Sequence, residues 1–220
     1  GKSEIMVKEA IDTSNGKLGV MTENSDNAFM PATINPFYMV CYSYNGGETK
    51  ISADLSSYMN GYQDPRREIY GVTSTFDESE NITNGFHGLR VGNEYPIKTG
   101  QCYSNVKVEV SSPIMWMNAA EVMFLRAEAA LRGWDTEKTP KAYYEAGIRL
   151  SFEQLGAKNV EDYLVSTNTP ESYKDPLGTY SFSGTPSTIS VQWKDGNFEE
   201  SLERIITQKW IANFPLGLEA

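Results

Sequence analysis

The chain has 220 residues, 40% of them hydrophobic and 22% charged, with 29 acidic against 19 basic residues and a formal net charge of −10. That length buries one good core or one large domain. The acidic balance, with no basic cluster larger than Arg66-Arg67, excludes the electrostatic footprint of a nucleic-acid binder and fits a surface facing neutral ligands.

In chain order, Glu4 to Ile11 has helical spacing, and Thr13-Ser-Asn-Gly-Lys reads as a turn. Residues 22–112 read as an irregular region with a few short strands. Phe37–Tyr44 is aromatic and aliphatic enough for a strand, closed by Asn45-Gly46-Gly47. Ser52 caps a short helix from Ala53 to Met59. Asp64-Pro65-Arg66-Arg67 fixes a turn, with Arg66 either in a structural ion pair or facing an anionic or hydroxyl-rich ligand. Val72–Phe76 reads as a short strand, Asp77-Glu-Ser-Glu as a solvated acidic loop, and Phe86-His-Gly-Leu-Arg-Val-Gly as a glycine-bracketed turn. Val106, Val108 and Val110 alternate with polar residues as a half-buried strand does.

The strongest signal spans 118–156. Asn118 caps a helix, with Glu121 placed for a capping box, and Gly133 stops it. Thr139 caps a second helix, Pro140 sits at its first position, and Gly156 ends it. The link is short, so the two helices form an antiparallel hairpin. Ala119, Ala120, Ala127, Ala129, Ala130, Ala142, Ala146, Gly147 and Ser151 smooth its faces, while Phe124, Leu125, Tyr143, Ile148 and Phe152 supply bulk. Asn159–Leu164 reads as a short capped helix. Residues 165–187 form a Ser/Thr/Pro/Gly-rich excursion, with Tyr163, Tyr173, Tyr180 and Phe182 in or beside it. Ile189, Val191 and Trp193 alternate as a strand. Asn197 caps the final helix, 197–214, whose apolar stripe is Leu202, Ile205, Ile206, Trp210 and Phe214.

Three segments carry a resemblance: Ala119-Ala-Glu-Val-x-Phe-Leu-Arg-Ala-Glu-Ala-Ala-Leu-Arg-Gly-Trp, Tyr144-Glu-x-Gly-Ile-Arg-x-Ser-Phe-Glu-Gln and Ile205-Ile-Thr-Gln-Lys-Trp-Ile-Ala. With Tyr62-Gln-Asp-Pro-Arg, they stand in the order found in the SusD/RagB family, which the chain resembles over residues 35–220. The resemblance implies a mainly α fold, with tetratricopeptide-like helical hairpins packed with irregular loops and a few short β-strands. It implies a single SusD-like domain fragment over 1–220. Such a fragment is expected to be without the family's signal peptide, lipid-attachment cysteine and helical N-terminal half. It also implies non-catalytic capture of an oligo- or polysaccharide, or another nutrient, at the extracellular face of the outer membrane of Bacteroidetes. The partner would be a SusC-like TonB-dependent transporter, with membrane contact only through a lipid anchor.

The residues themselves suggest little chemistry. The one histidine, His87, has no Gly-x-Ser-x-Gly elbow to serve, and no phosphate loop, dinucleotide fingerprint or zinc spacing is present. No cofactor, metal site or catalytic residue is expected. Cys41 and Cys102 are either separate buried thiols or a disulfide. Sugar binding needs aromatic faces with polar groups beside them. Phe76, Phe86, Tyr95 and Tyr103, with Asn81, Asn93, Gln101 and Asn105 nearby, are the candidates. Trp193 and Trp210 read as core. A glycoside hydrolase with paired carboxylates and a purely protein-binding helical scaffold are the alternatives.

Overall fold

A computed structural model describes residues 1–47, 49–74, 85–94, 102–135 and 137–216. The described chain is mainly helical. Helices are α1 (Lys2–Ile11), α2 (Pro36–Tyr38), α3 (Ala53–Gly61), α4 (Arg67–Tyr70), α5 (Ala119–Leu131), α6 (Pro140–Leu155), α7 (Val160–Leu164) and α8 (Phe198–Ala212). Strands β1 (Ala28–Met30) and β2 (Ile114–Met117) pair as a two-stranded sheet. Contacts divide the chain into two compact units, one of Gly1–Phe29, Met115–Val165 and Gln192–Ala220, the other of Met30–Ile114 and Ser166–Val191.

The first unit is built on α5 and α6. Asn118 Oδ1 accepts the Glu121 N–H at 2.7 Å to start α5, and Gly133 follows its end at φ +74°. Thr139 Oγ1 accepts the Ala142 N–H at 3.2 Å, Pro140 opens α6, and Gly156 closes it at φ +67°. Each boundary uses a residue whose own chemistry satisfies or tolerates a helix end. Arg126 lies over the Tyr143 ring, while Phe124, earlier in α5, meets Tyr144 and Gly147, later in α6. Contacts that run oppositely along two helices make the pair antiparallel.

Small residues set how closely the helices approach. A Cβ on Gly147 would lie 2.8 Å from the Phe124 ring. Ala119, Ala120, Ala127, Ala129 and Ser151 are buried beside Phe124, Tyr143, Ile148 and Phe152, whereas Leu125 stays exposed. A polar network closes the link: Arg126 Nε donates to Asp135 Oδ2 at 2.7 Å, Arg126 Nη2 to Glu137 Oε2 at 2.6 Å, and the Tyr143 hydroxyl to Asp135 Oδ1 at 3.2 Å. Burial, with Asp135 adding to it and Arg126 opposing, pushes the Tyr143 phenol up to about 12.

Around this pair, Asn197 Oδ1 accepts the Glu199 N–H at 2.8 Å and starts α8, which buries Ile205 and Ile211. Ile206 is exposed, so the buried stripe is narrower than the sequence suggests. Asn118 Nδ2 donates to Asn213 Oδ1 at 2.8 Å, tying the start of α5 to the end of α8. Trp193 leans on Tyr144 with ring centroids 5.3 Å apart and is half-buried, as is Trp210. Residues 189–193 form no strand. Ser190 and Val191 are both buried while Ile189 and Trp193 are half-buried, so the sequence alternation does not correspond to a one-sided strand. The start of α7 is also different, because Asn159 takes φ +63° and makes no side-chain cap.

Among its described residues the second unit has one helix of useful length. Ser52 Oγ accepts the Leu55 N–H at 3.2 Å to open α3, which buries Leu55 and Met59. At its start, residues 51–53, 87–89 and Ser104 exchange main-chain bonds: Leu89 N–H to Ile51 O at 2.7 Å, Ala53 N–H to Leu89 O at 3.0 Å and Ser104 N–H to His87 O at 2.8 Å. Gly88 is pressed against the Ser52 carbonyl, where no Cβ fits. The stretch from Phe86 is therefore extended as far as Leu89, and the turn lies at 91–93, with Gly92 at φ +85°.

Among the described residues, the other strand expectations show only single bridges, Gly71 with Val106 and Ser74 with Gly85, and the end of the expected strand Val72–Phe76 lies outside the described residues. The Phe37–Tyr44 strand is not formed either. Asn35 Oδ1 accepts the Phe37 N–H at 2.8 Å, Pro36 takes the first helical position, and α2 runs into a π-helical turn over Met39–Ser43. Local capping overrides β-propensity there. Cys41 and Cys102 are both buried free thiols, not a disulfide. Arg66 and Asp64 are fully buried and paired, with Nη2 to Oδ2 at 2.6 Å and Nε to Oδ1 at 3.0 Å. Arg66 thus holds its turn and faces no ligand.

Three outcomes follow for stability in urea unfolding. Gly147→Ala gains about 1 kcal/mol of helix propensity but overpacks Phe124 at a cost of about 1–3 kcal/mol, so it destabilises, and adding Phe124→Leu recovers part of the loss. Asp64→Ala deprives the buried Arg66 of its carboxylate and lowers stability by about 3–5 kcal/mol. For Tyr143 the folded value lies above the ordinary one near 10. Its contribution is complete below pH ~10 and is lost as pH rises through about 12. Tyr143→Phe is therefore less steeply destabilised across that window than the parent chain.

Candidate functional site

Within the second unit, the excursion after α7 is folded around one carboxylate. Asp175 is buried. Its Oδ1 accepts the Tyr103 hydroxyl at 2.8 Å, and its Oδ2 accepts the N–H groups of Thr179 and Tyr180, each at 3.0 Å. Its own N–H donates to Ser181 Oγ at 3.0 Å, and Gly178, at φ +76°, completes the turn. The chain doubles back, and Phe182 N–H donates to Tyr173 O at 2.9 Å.

Both ends of this loop are pinned to the rest of the unit. The Tyr173 hydroxyl donates to Gly88 O at 2.6 Å, and Glu171 N–H donates to Ser57 O at 3.1 Å. Gly61 lies flush against the Thr169–Glu171 backbone, leaving no room for a Cβ. Burial first, then Asp175, holds the Tyr103 and Tyr173 phenols well above their ordinary range, so both stay neutral donors.

This arrangement sets up a cleft of about 230 Å³. Ala53, Asp54 and Ser57 of α3 line it together with Arg90, Tyr173, Phe182, Gly184 and Pro186. Phe182 is 53% exposed, and its ring lies across Gly184, where a Cβ would meet it at 2.5 Å. The Arg90 guanidinium sits 5.9 Å from the Phe182 ring centroid, and Nη1 donates to Tyr180 O at 3.4 Å. An open aromatic face beside a guanidinium, a carboxylate and a hydroxyl is chemistry for a polyol with an apolar face. A smaller hollow of about 70 Å³ nearby is lined by His87, Asn60, Glu171 and Lys174, among others.

The aromatics singled out from sequence are placed differently. Phe86 is buried with its ring packed on Gly71, and Tyr103 is buried on Asp175, so neither offers a face to a ligand. Both serve packing because partners distant in sequence cover them. Phe76 and Tyr95 lie outside the described residues, as do Asn81 and Gln101. Asn105 accepts from Lys50 Nζ. The open ring is Phe182, which the sequence marks only as one aromatic in a long polar excursion. Arg90 and Asp54 carry no local signal at all. Among the described residues, no group of three or more His, Cys, Asp or Glu is placed to hold a metal ion, and no helix is long and apolar enough to cross a membrane.

Comparison with known proteins identifies the fold. Residues 1–220 match the family model described as SusD-like, "Susd and RagB outer membrane lipoprotein". A crystal structure of a SusD homologue from Bacteroides thetaiotaomicron is 41% identical with a TM-score of 0.89, covering 99% of this chain and 45% of that one. A SusD homologue from Bacteroides uniformis is 43% identical with a TM-score of 0.88, over 99% of this chain and 45% of that one. A chitin-binding SusD homologue from Flavobacterium johnsoniae is 37% identical with a TM-score of 0.81, over 98% of this chain and 46% of that one. The chain thus spans a little under half the length of these relatives. No curated protein matches it. The chain belongs to the SusD/RagB family of outer-membrane lipoproteins.

Proposed function

We propose that this protein binds a saccharide without altering it, through the Phe182 cleft, and that the whole protein does so at the extracellular face of the outer membrane. In this reading a lipid anchor outside the present sequence holds the protein there, and the ligand passes to a SusC-like TonB-dependent transporter. The family is generally one of non-catalytic binding proteins, and one homologue similar over 98% of this chain is chitin-binding. The observation that carries the reading to particular residues is the open Phe182 ring, fixed beside Arg90, Asp54 and Ser57. The flat apolar face of a sugar stacks on such a ring, and its hydroxyls meet the polar groups.

The glycosidase alternative needs two carboxyl groups flanking a bond. Among the described residues the cleft is lined by a single carboxylate, Asp54. Elsewhere Glu128 is paired with Arg132 at 2.8 Å, and Glu121 lies in the first turn of α5.

A glycan array followed by isothermal titration with the 220-residue chain tests the proposal. Saturable binding is expected with no change in the glycan on chromatography. Phe182→Ala is expected to weaken it about 2- to 12-fold, the factor corresponding to an aromatic contact of about 0.5–1.5 kcal/mol. Cleavage of the glycan would move the assignment to a hydrolase, and binding untouched by Phe182→Ala would move the site elsewhere.

A further inference from the structure

The chain has seven arginines. Five of them, Arg66, Arg126, Arg132, Arg149 and Arg204, lie within 4 Å of a carboxylate. In a chain with 29 acidic residues against 19 basic ones, such pairing is the default. Arg67, which donates to Asn60 Oδ1 at 3.3 Å, departs from it, and so does Arg90. Among the described residues its contacts are the Tyr180 carbonyl at 3.4 Å and the Phe182 ring, so most of its five N–H groups remain open. Asp54 is exposed in the first turn of α3 and has no basic partner among the described residues. The two line the same cleft, yet they form no ion pair with each other.

A guanidinium and a carboxylate that line one cleft with an exposed aromatic ring suit a guest that both donates and accepts. A guanidinium only donates and a carboxylate only accepts, whereas a hydroxyl does both. A sugar ring on Phe182 can place one hydroxyl to donate to Asp54 and another to accept from Arg90. A carboxylated sugar would gain at Arg90 but bring its charge into a cleft that already holds Asp54, on a chain of net charge −10. A free amino sugar meets the converse conflict at Arg90. The volume, about 230 Å³, lies below the ~300–1,000 Å³ of whole ligand pockets, so the fit is to one ring and not to a length of chain.

We infer that the Phe182 cleft selects a single uncharged sugar ring with free hydroxyls, with Arg90 and Asp54 acting as a donor–acceptor clamp that rejects both acidic and cationic sugars. This rests on the saccharide reading above. Tyr180 and Asp175 are positioning residues in it. The Tyr180 carbonyl holds the guanidinium, and the Asp175 carboxylate holds the Tyr180 backbone.

The test is an array of matched oligosaccharides that are uncharged, uronic-acid-bearing or bearing free amines, probed with the parent chain, Asp54→Asn, Arg90→Gln and Phe182→Ala, each checked for unchanged helical circular dichroism. The parent is expected to bind uncharged glycans best. Asp54→Asn should move the uronic-to-uncharged ratio about tenfold toward uronic, and Arg90→Gln should move the amine-to-uncharged ratio about tenfold toward amine, the scale of one charge-assisted hydrogen bond. A parent that prefers uronic or amino glycans overturns the clamp and leaves saccharide binding standing. So do ratios that stay fixed in both variants while Phe182→Ala still weakens binding. A parent that binds no glycan overturns the underlying reading itself.

Discussion

A buried carboxylate that must be satisfied shapes the second unit. Asp175 lies in an interior where an unpaired charge costs several kcal/mol. Its oxygens find the Tyr103 hydroxyl and two main-chain N–H groups, and hydrogen bonds to a charged group contribute about 1.5–3 kcal/mol each. No extended path through residues 175–180 brings those two N–H groups onto one oxygen, so the backbone must turn. The turn puts Phe182 back beside Tyr173 and points the Tyr180 carbonyl at Arg90. A stretch whose composition suggests a loose loop thereby becomes a fixed support. Gly61 and Gly88 allow it by letting bare backbone approach bare backbone.

The first unit solves the same problem with a different pair. Arg126 reaches from α5 to Asp135 and Glu137 in the link, and Tyr143 of α6 donates to the same Asp135. The guanidinium also lies 4.5 Å from the Tyr143 ring centroid. These bonds fix how the hairpin closes, and the close Phe124–Gly147 contact fixes how near its helices come. Polar satisfaction sets direction and small side chains set distance. That division explains why a helix face dominated by alanine can still specify one packing arrangement.

Helix ends were legible in the sequence because they are local. Ser52, Asn118, Thr139, Asn197 and Gly156 each act within four residues of their own position, and each does what its side chain or its absence permits. Strands were not legible, because alternation reports burial on one side and says nothing of a pairing partner. Val106 is buried with a single bridge, and Val191 is buried with none. Two of the aromatic candidates, Phe86 and Tyr103, are covered for a related reason. Whether Tyr103 is covered depends on Asp175, 72 residues away, and whether Phe86 is covered depends on Gly71. Arg90 and Asp54 were invisible for the same cause, since what distinguishes them is that, among the described residues, neither has an ion-pair partner within 4 Å, yet both line one cleft.

What the cleft offers also bears on the choice between holding and cutting. A hydrolase must bring two carboxyl environments to different proton affinities across a scissile bond and bind the distorted state best. Among the described residues that line the cleft, Asp54 has no second carboxyl group to work against. Phe182 is half open to solvent, so a guest stacked there keeps much of its own hydration. Contacts of that kind bind ground states evenly and modestly. An affinity built from one exposed ring and two polar groups is modest and readily reversed. The rigid part of the design is the support beneath the ring, and the weak part is the face it presents.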